Sequence, residues 1–166
     1  FEFFYRTGDI ETSISTLEKC LAISGSESSN ADTAAALGNL GNLYRIQGEF
    51  ERAKEMCYKS LTIDQAIGNI IGVANNYGNL GIVYATIGEL DLAEEMFKNT
   101  LFIDETLGRR EGMANTYNNL GHLYLTKGEL GKAEEMFIKS KAIDEAMGNK
   151  EGLGNAYCNL GLIYQI

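Results

Sequence analysis

The chain has 166 residues, 45% of them apolar, which is enough for one ordinary core and more than a disordered chain carries. Its 14 Lys and Arg against 23 Asp and Glu leave a formal net charge of −9, so a general phosphate-binding surface lacks its counter-charge and nucleic acid is not an expected partner. Proline is absent and Gly numbers 19, a combination that excludes a Pro-rich linker and a collagen-like chain.

In chain order, a stub at 1–7 precedes helices predicted at 9–24, 31–47, 49–67, 70–87, 89–107, 110–127, 129–147 and 150–166. Two kinds of amphipathic stripe alternate. In one, Leu37, Leu40, Gly41 and Tyr44 stand at i, i+3, i+4 and i+7, as do Tyr77, Leu80, Gly81, Tyr84 and Tyr117, Leu120, Gly121, Tyr124. In the other, Leu90, Ala93, Phe97 and Leu101 face inward, and Glu94, Glu95 and Lys98 are expected on the outer side.

These stripes recur with a period of 40: NLGNLY from 39, NLGIVY from 79, NLGHLY from 119 and NLGLIY from 159. A second block, GEFERAKEM from 48, GELDLAEEM from 88 and GELGKAEEM from 128, keeps the same register, with a diverged GDIETSIST from 8. Residues 71–110 and 111–150 share 21 identities in 40 columns. Fourteen of the 19 Gly fall into four columns, headed by Gly8, Gly41, Gly68 and Gly72, which separate turns at element ends from close packing within elements. The expected organisation is a single array over 1–166, with a partial repeat at 1–30, repeats from about 31–69, 70–109 and 110–149, and a half repeat at 150–166.

A large residue, Leu, Gly and Tyr, followed by Gly, an acidic residue, Ala and Phe, resembles the tetratricopeptide repeat. The resemblance implies an all-α fold, a right-handed solenoid of stacked helical hairpins. Two features depart from the usual pattern: Leu37 stands where Tyr77, Tyr117 and Tyr157 carry the aromatic, and the period of 40 exceeds the family's usual period of about 34. This longer form resembles the repeats of kinesin light chain and of peptide-binding polarity adaptors. The Pro that usually ends the hairpin is missing, so its turn must be made another way.

The resemblance also implies that the first helix of each unit lines a concave groove. On a helical wheel Asn39 lies roughly 200° from Leu37, away from the packed stripe, and Asn79, Asn119 and Asn159 hold the same place. Asn42, Asn75, Asn115, Asn118 and Asn155 neighbour them, giving an amide-rich strip. Solvation or recent duplication would also explain the strip, but Asn disfavours a helix interior by several tenths of a kcal/mol relative to Ala or Glu. Arg45, Ile82, His122, Leu125 and Leu162 flank it as candidate side-chain contacts. The expected function is therefore a protein or peptide interaction module that holds an extended segment. Its alternatives are a self-associating scaffold and the regulatory part of a larger enzyme. A clamp for acidic C-termini would need more groove cations than Arg45.

The acids of the second helices, including Asp64, Asp104 and Asp144, are read as a solvated convex face, with a bond from the Asp64, Asp104 and Asp144 column to a neighbouring unit across the stack as the alternative. Adjacent carboxylates such as Glu94 and Glu95 diverge by about 100° and suit neither metal nor acid/base work. His122 has no nucleophile or carboxylate near it in sequence, and Cys20, Cys57 and Cys158 form no CxxC or Cys/His cluster. No enzymatic activity, metal or cofactor is expected. No apolar run reaches the roughly 18 to 20 residues of a membrane span, so no membrane partner is expected and a cytoplasmic location is the default. Because the sequence opens with Phe1, Phe3, Phe4 and Tyr5 and closes with Leu162, Ile163, Tyr164 and Ile166, flanking repeats or end-to-end self-association are expected.

Overall fold

A computed structural model describes residues 7–24 and 30–165 of the chain. Residues 1–6 of the stub expected at 1–7, its four aromatics among them, and Ile166 lie outside the described residues. The eight helices of the described residues are α1 (Thr7–Ser24), α2 (Ala31–Ile46), α3 (Phe50–Ala66), α4 (Ile70–Ile87), α5 (Leu90–Leu107), α6 (Arg110–Thr126), α7 (Leu130–Met147) and α8 (Lys150–Ile163). Every boundary lies within three residues of its expectation. The chain divides into two compact units, Phe1–Val83 and Tyr84–Ile166, with the division inside α4.

Glycine sets the helix length. Gly48, Gly68, Gly88, Gly108, Gly128 and Gly148 recur at even spacing, twice per repeat, with φ between +65° and +85°, a conformation that a Cβ makes costly. At the end of α2 the Gly48 N–H donates to the Arg45 carbonyl at 3.0 Å and the Glu49 N–H to the Tyr44 carbonyl at 2.9 Å. This pair of bonds is a Schellman cap, and it closes the next five helices at the corresponding residues. Capping by glycine thus replaces the missing proline, and each new helix starts two residues after the cap.

In the first unit α1, α2 and α3 bury Ile10, Ile14 and Leu21 against Leu37, Leu40, Tyr44 and Ala53, with Leu17, Phe50 and Met56 packed around them. In the second unit Ala93 and Phe97 of α5, Leu120 and Leu123 of α6, Phe137 of α7 and Leu160 of α8 are buried. Cys57, in the Phe97 and Phe137 column, is buried as a small hydrophobe, and desolvation raises its thiol pKa to about 11. The glycines of the Leu-Gly pairs let the hairpin helices approach. An ideal Cβ on Gly121 would fall 2.4 Å from the Phe137 ring, and one on Gly41 would fall 2.6 Å from Cys57 Sγ.

One expectation fails. Asp64, Asp104 and Asp144 are not on a solvated face; they are 2%, 1% and 4% exposed. Each carboxylate turns back onto the cap that follows it. Asn69 Nδ2 donates to Asp64 Oδ1 at 2.7 Å and Asn149 Nδ2 to Asp144 Oδ1 at 2.8 Å, while Arg109 pairs with Asp104 at 3.0 Å. Asn69 and Asn149 also accept, at Oδ1, the N–H of Gly72 and Gly152, which caps α4 and α8. Burial is the main effect on Asp104 and raises its pKa, with Arg109 opposing.

Glu94 and Glu134 are likewise not simply solvated. Tyr124 Oη donates to Glu94 Oε1 at 2.9 Å and Tyr164 Oη to Glu134 Oε1 at 2.7 Å, and in the first unit Tyr44 Oη donates to Glu18 Oε1 at 2.6 Å. Desolvation first, then these carboxylates, push the Tyr44 and Tyr124 phenols up to about 12. Tyr44 and Tyr124 thereby bury their rings, Tyr164 stays exposed, and each of the three gives its hydroxyl an acceptor on a preceding helix.

Candidate functional site

Four of the amide positions lie together in the first unit. Asn39 and Asn42 of α2 and Asn75 and Asn79 of α4 line a cavity of about 410 Å3, together with Ala31, Ala34, Ala35, Gly38 and Ile71. Asn39 and Asn75 are exposed, and Asn42 and Asn79 are half-buried. The small side chains of α2 keep the cavity open. Asn42 Oδ1 accepts from Arg45 Nε at 3.2 Å and from Nη2 at 2.8 Å, so the guanidinium is held beside the amides. Ile82 is half-buried on α4 and is not part of the cavity lining.

The deepest residues of this cavity are ones the sequence reading did not choose. Asn76, Ser60 and Asp64 line it and are buried. Asn76 Nδ2 donates to Ser60 Oγ at 2.9 Å and to Asp64 Oδ2 at 2.8 Å, and Ser60 Oγ donates to the Ala34 carbonyl at 2.7 Å. With its donors and acceptors mutually satisfied, this polar floor keeps α2, α3 and α4 in register. A signal for it was present in the chain: Asp64, Asp104 and Asp144 each stand at a fixed spacing before a glycine, Gly72, Gly112 and Gly152.

The second unit arranges the same columns differently. On α6, Asn115 and His122 are exposed and Asn118, Asn119 and Leu125 are half-buried; on α8, Asn155 and Leu162 are exposed. Asn159 was expected to point away from the packed side chains, yet it is 8% exposed. Its Nδ2 donates to Asn118 Oδ1 at 2.9 Å and lies 3.3 Å from His122 Nε2. The His122 ring also meets Phe137 edge-on at 5.2 Å, and partial desolvation of the ring lowers its pKa; in the neutral tautomer protonated at Nδ1, its Nε2 accepts the amide proton. In the first unit, Gly38 occupies the column of Asn118. Asn79 therefore has no side chain in the place where Asn159 finds its partner.

Cys158 is exposed on α8. Among the described residues no cluster of three or more His, Cys, Asp or Glu is disposed to hold a metal ion, and no helix is long and apolar enough to cross a membrane.

The family model described as tetratricopeptide repeat matches residues 2–66, 32–106 and 108–166. No curated protein sequence matches the chain significantly. Among solved structures, BtubC (BKLC) from P. vanneervenii superposes with a TM-score of 0.82 at 24% identity over 96% of this chain and 66% of that one. MamA superposes with a TM-score of 0.67 at 26% identity, covering 96% of this chain and 79% of that one. A kinesin light chain-type protein from Podosopora anserina with nearly identical repeats gives a TM-score of 0.73 at 19% identity, over 96% and 79% of the two chains. The chain spans slightly under two thirds of the length of BtubC. The fold class is accordingly an all-α solenoid.

Proposed function

The chain belongs to the tetratricopeptide repeat family, and we propose that it holds an extended segment of a partner protein against an amide-lined face, that of α2 and α4 in the first unit or that of α6 and α8 in the second. The family fold is generally a non-catalytic interaction module, and a protein-interaction or scaffold role follows from membership. The observation that supports the finer reading is the cavity of about 410 Å3 walled by Asn39, Asn42, Asn75 and Asn79. A primary amide offers both a donor and an acceptor, so it can pair with a peptide unit without reading its side chain.

Magnitude divides the work. At a net 0.5 to 1.5 kcal/mol per hydrogen bond, four amides supply about 2 to 6 kcal/mol before ordering costs, whereas micromolar affinity needs about 8. The remainder is assigned to side-chain contacts beside the amides, from Ile82, His122, Leu125 and Leu162, with Arg45 supplying charge. Asn115, Asn118, Asn119 and Asn155 belong to the corresponding face of the second unit in this reading, with Asn159 buried behind them and bonded to Asn118. We assign the protein no enzymatic activity and no cofactor.

The test is selection of peptides from a random display library on the whole chain, followed by calorimetry with the selected peptide. Replacing Asn39 and Asn79 together by Ala should weaken binding at least ten-fold while helicity and Tm stay nearly unchanged. Binding that survives this pair of substitutions rejects the amide mechanism. Concentration-dependent association without any selected peptide would favour the scaffold reading instead.

A further inference from the structure

On the opposite side of α2 from the amide groove, the first unit contains a larger cavity, about 780 Å3, enclosed by α1, α2 and α3. Leu21, Leu37 and Met56 give it an apolar lining, and Glu55 and Lys59 stand among its charged residues. Leu37 is two residues from Asn39 and so faces roughly 200° away from it.

One repeat column differs at this cavity. Leu37 stands in the column of Tyr77, Tyr117 and Tyr157. In the second unit Tyr117 occupies its column as a ring held from both sides. Its Oη donates to Glu105 Oε1 of α5 at 3.2 Å, and Lys139 Nζ of α7 stands 5.6 Å from the ring centroid. Lys59 and Glu55 are the counterparts, two repeats earlier, of Lys139 and Glu135. Position 37 thus keeps beside it the counterpart of the ammonium that stacks on Tyr117 and lacks the ring.

We propose that this cavity receives a tyrosine side chain carried by a partner protein, which takes the place that Tyr117 fills from within the chain in the second unit. An apolar floor accommodates the ring body, and Lys59 stacks on its face as Lys139 does on Tyr117. The volume lies in the range of sites for ligands of many atoms, larger than a lone ring needs, so the residue's own backbone and its neighbours enter as well. This site goes beyond the amide groove and is independent of it, because none of Leu21, Leu37, Met56 or Lys59 lines that groove.

The experiment titrates N-acetyl-L-tyrosinamide into the isotope-labelled whole chain and follows amide chemical shifts. Saturable shifts should concentrate at Leu21, Leu37, Met56 and Lys59, and N-acetyl-L-leucinamide should bind at least about five-fold more weakly. Leu37→Tyr should place a ring beside Lys59, in the path of the incoming tyrosine, and abolish binding with no loss of Tm. Lys59→Met, at an exposed position, should fold normally and weaken binding roughly three-fold through the lost cation–π contact. Absence of saturable shifts, equal binding of the leucine probe, or full binding by Leu37→Tyr would overturn the assignment. Should Leu37→Tyr fail to fold, unchanged affinity in Lys59→Met would overturn it instead.

Discussion

The carboxylate of Asp64 stands where a side chain on Gly72 would have to grow: an ideal Cβ there falls 2.3 Å from Asp64 Cγ. The same relation holds for Gly112 with Asp104 and Gly152 with Asp144, where the Cβ would lie 2.6 and 2.4 Å from Cγ. Gly72→Ala should therefore destabilise the protein by at least about 2 kcal/mol, the range of overpacking plus a disturbed buried carboxylate. Gly38→Ala should do the opposite, because its Cβ would meet Asn76 and Ser60 at an ordinary 3.5 Å and helix propensity gains up to about 1 kcal/mol. Denaturant unfolding of both variants checks the contrast. An Asp64→Ala, Gly72→Ala double variant should lose less than the two single losses combined, since one substitution vacates the space the other requires.

Acid should find a particular weak point in the second unit. Glu94 accepts from Lys127 and Lys98 and from Tyr124, and these bonds hold its pKa at about 2, against an ordinary 4.5. A carboxylate held low in the folded state adds stability that is fully present above pH 4.5 and is lost as pH falls toward 2. Glu94→Gln should remove on the order of 1 kcal/mol at pH 7, given solvent screening, and almost nothing at pH 2. Urea midpoints at pH 7, 4 and 2 measure this. A constant offset between the two proteins across that range would show that the loss is one of packing, unconnected to charge.

The three thiols should react in two classes. Cys20 and Cys158 are exposed, whereas Cys57 is 0% exposed and its thiol is pushed up to about 11 by burial. A thiolate-specific disulfide reagent at pH 8 should consume two thiols per chain rapidly in the native protein and the third only with unfolding. Rapid reaction of all three would mean that α2 and α3 open locally far more often than their buried contacts imply.

The helices were legible because period 3.6 and period 40 agree in this chain. Apolar stripes fixed which face packs, and the evenly spaced glycines from Gly48 to Gly148 fixed where each helix stops. The buried acids were not legible. A wheel places Asp64 with its charged neighbours, and nothing local shows that the following turn folds Asn69 back over it. The pairing of Tyr124 with Glu94 was equally hidden, because a bond between positions so far apart in the chain depends on how successive helices dock. The amide positions were legible in the sequence, but their inequality between units arises from two columns, Gly38 against Asn118 and Asn42 against His122.

That inequality gives the last prediction. Asn79 and Asn159 occupy one column of the repeat, yet Asn79 lines an open cavity while Asn159 is buried and donates to Asn118 at 2.9 Å. Removing the Asn159 amide leaves the Asn118 carbonyl without that donor, so Asn159→Ala should cost about 1 kcal/mol even after the helix-propensity gain of Ala. Asn79→Ala loses no such bond and should be neutral or stabilising by a few tenths of a kcal/mol. Placing Asn at position 38 tests the cause. In Gly38→Asn the new amide should engage Asn79 as Asn118 engages Asn159, after which Asn79→Ala becomes destabilising by a similar amount, about 1 kcal/mol. Equal stability of the Asn79→Ala and Asn159→Ala variants in the natural background would mean that the Asn159 bond contributes nothing net, and that Gly38 does not distinguish the two units.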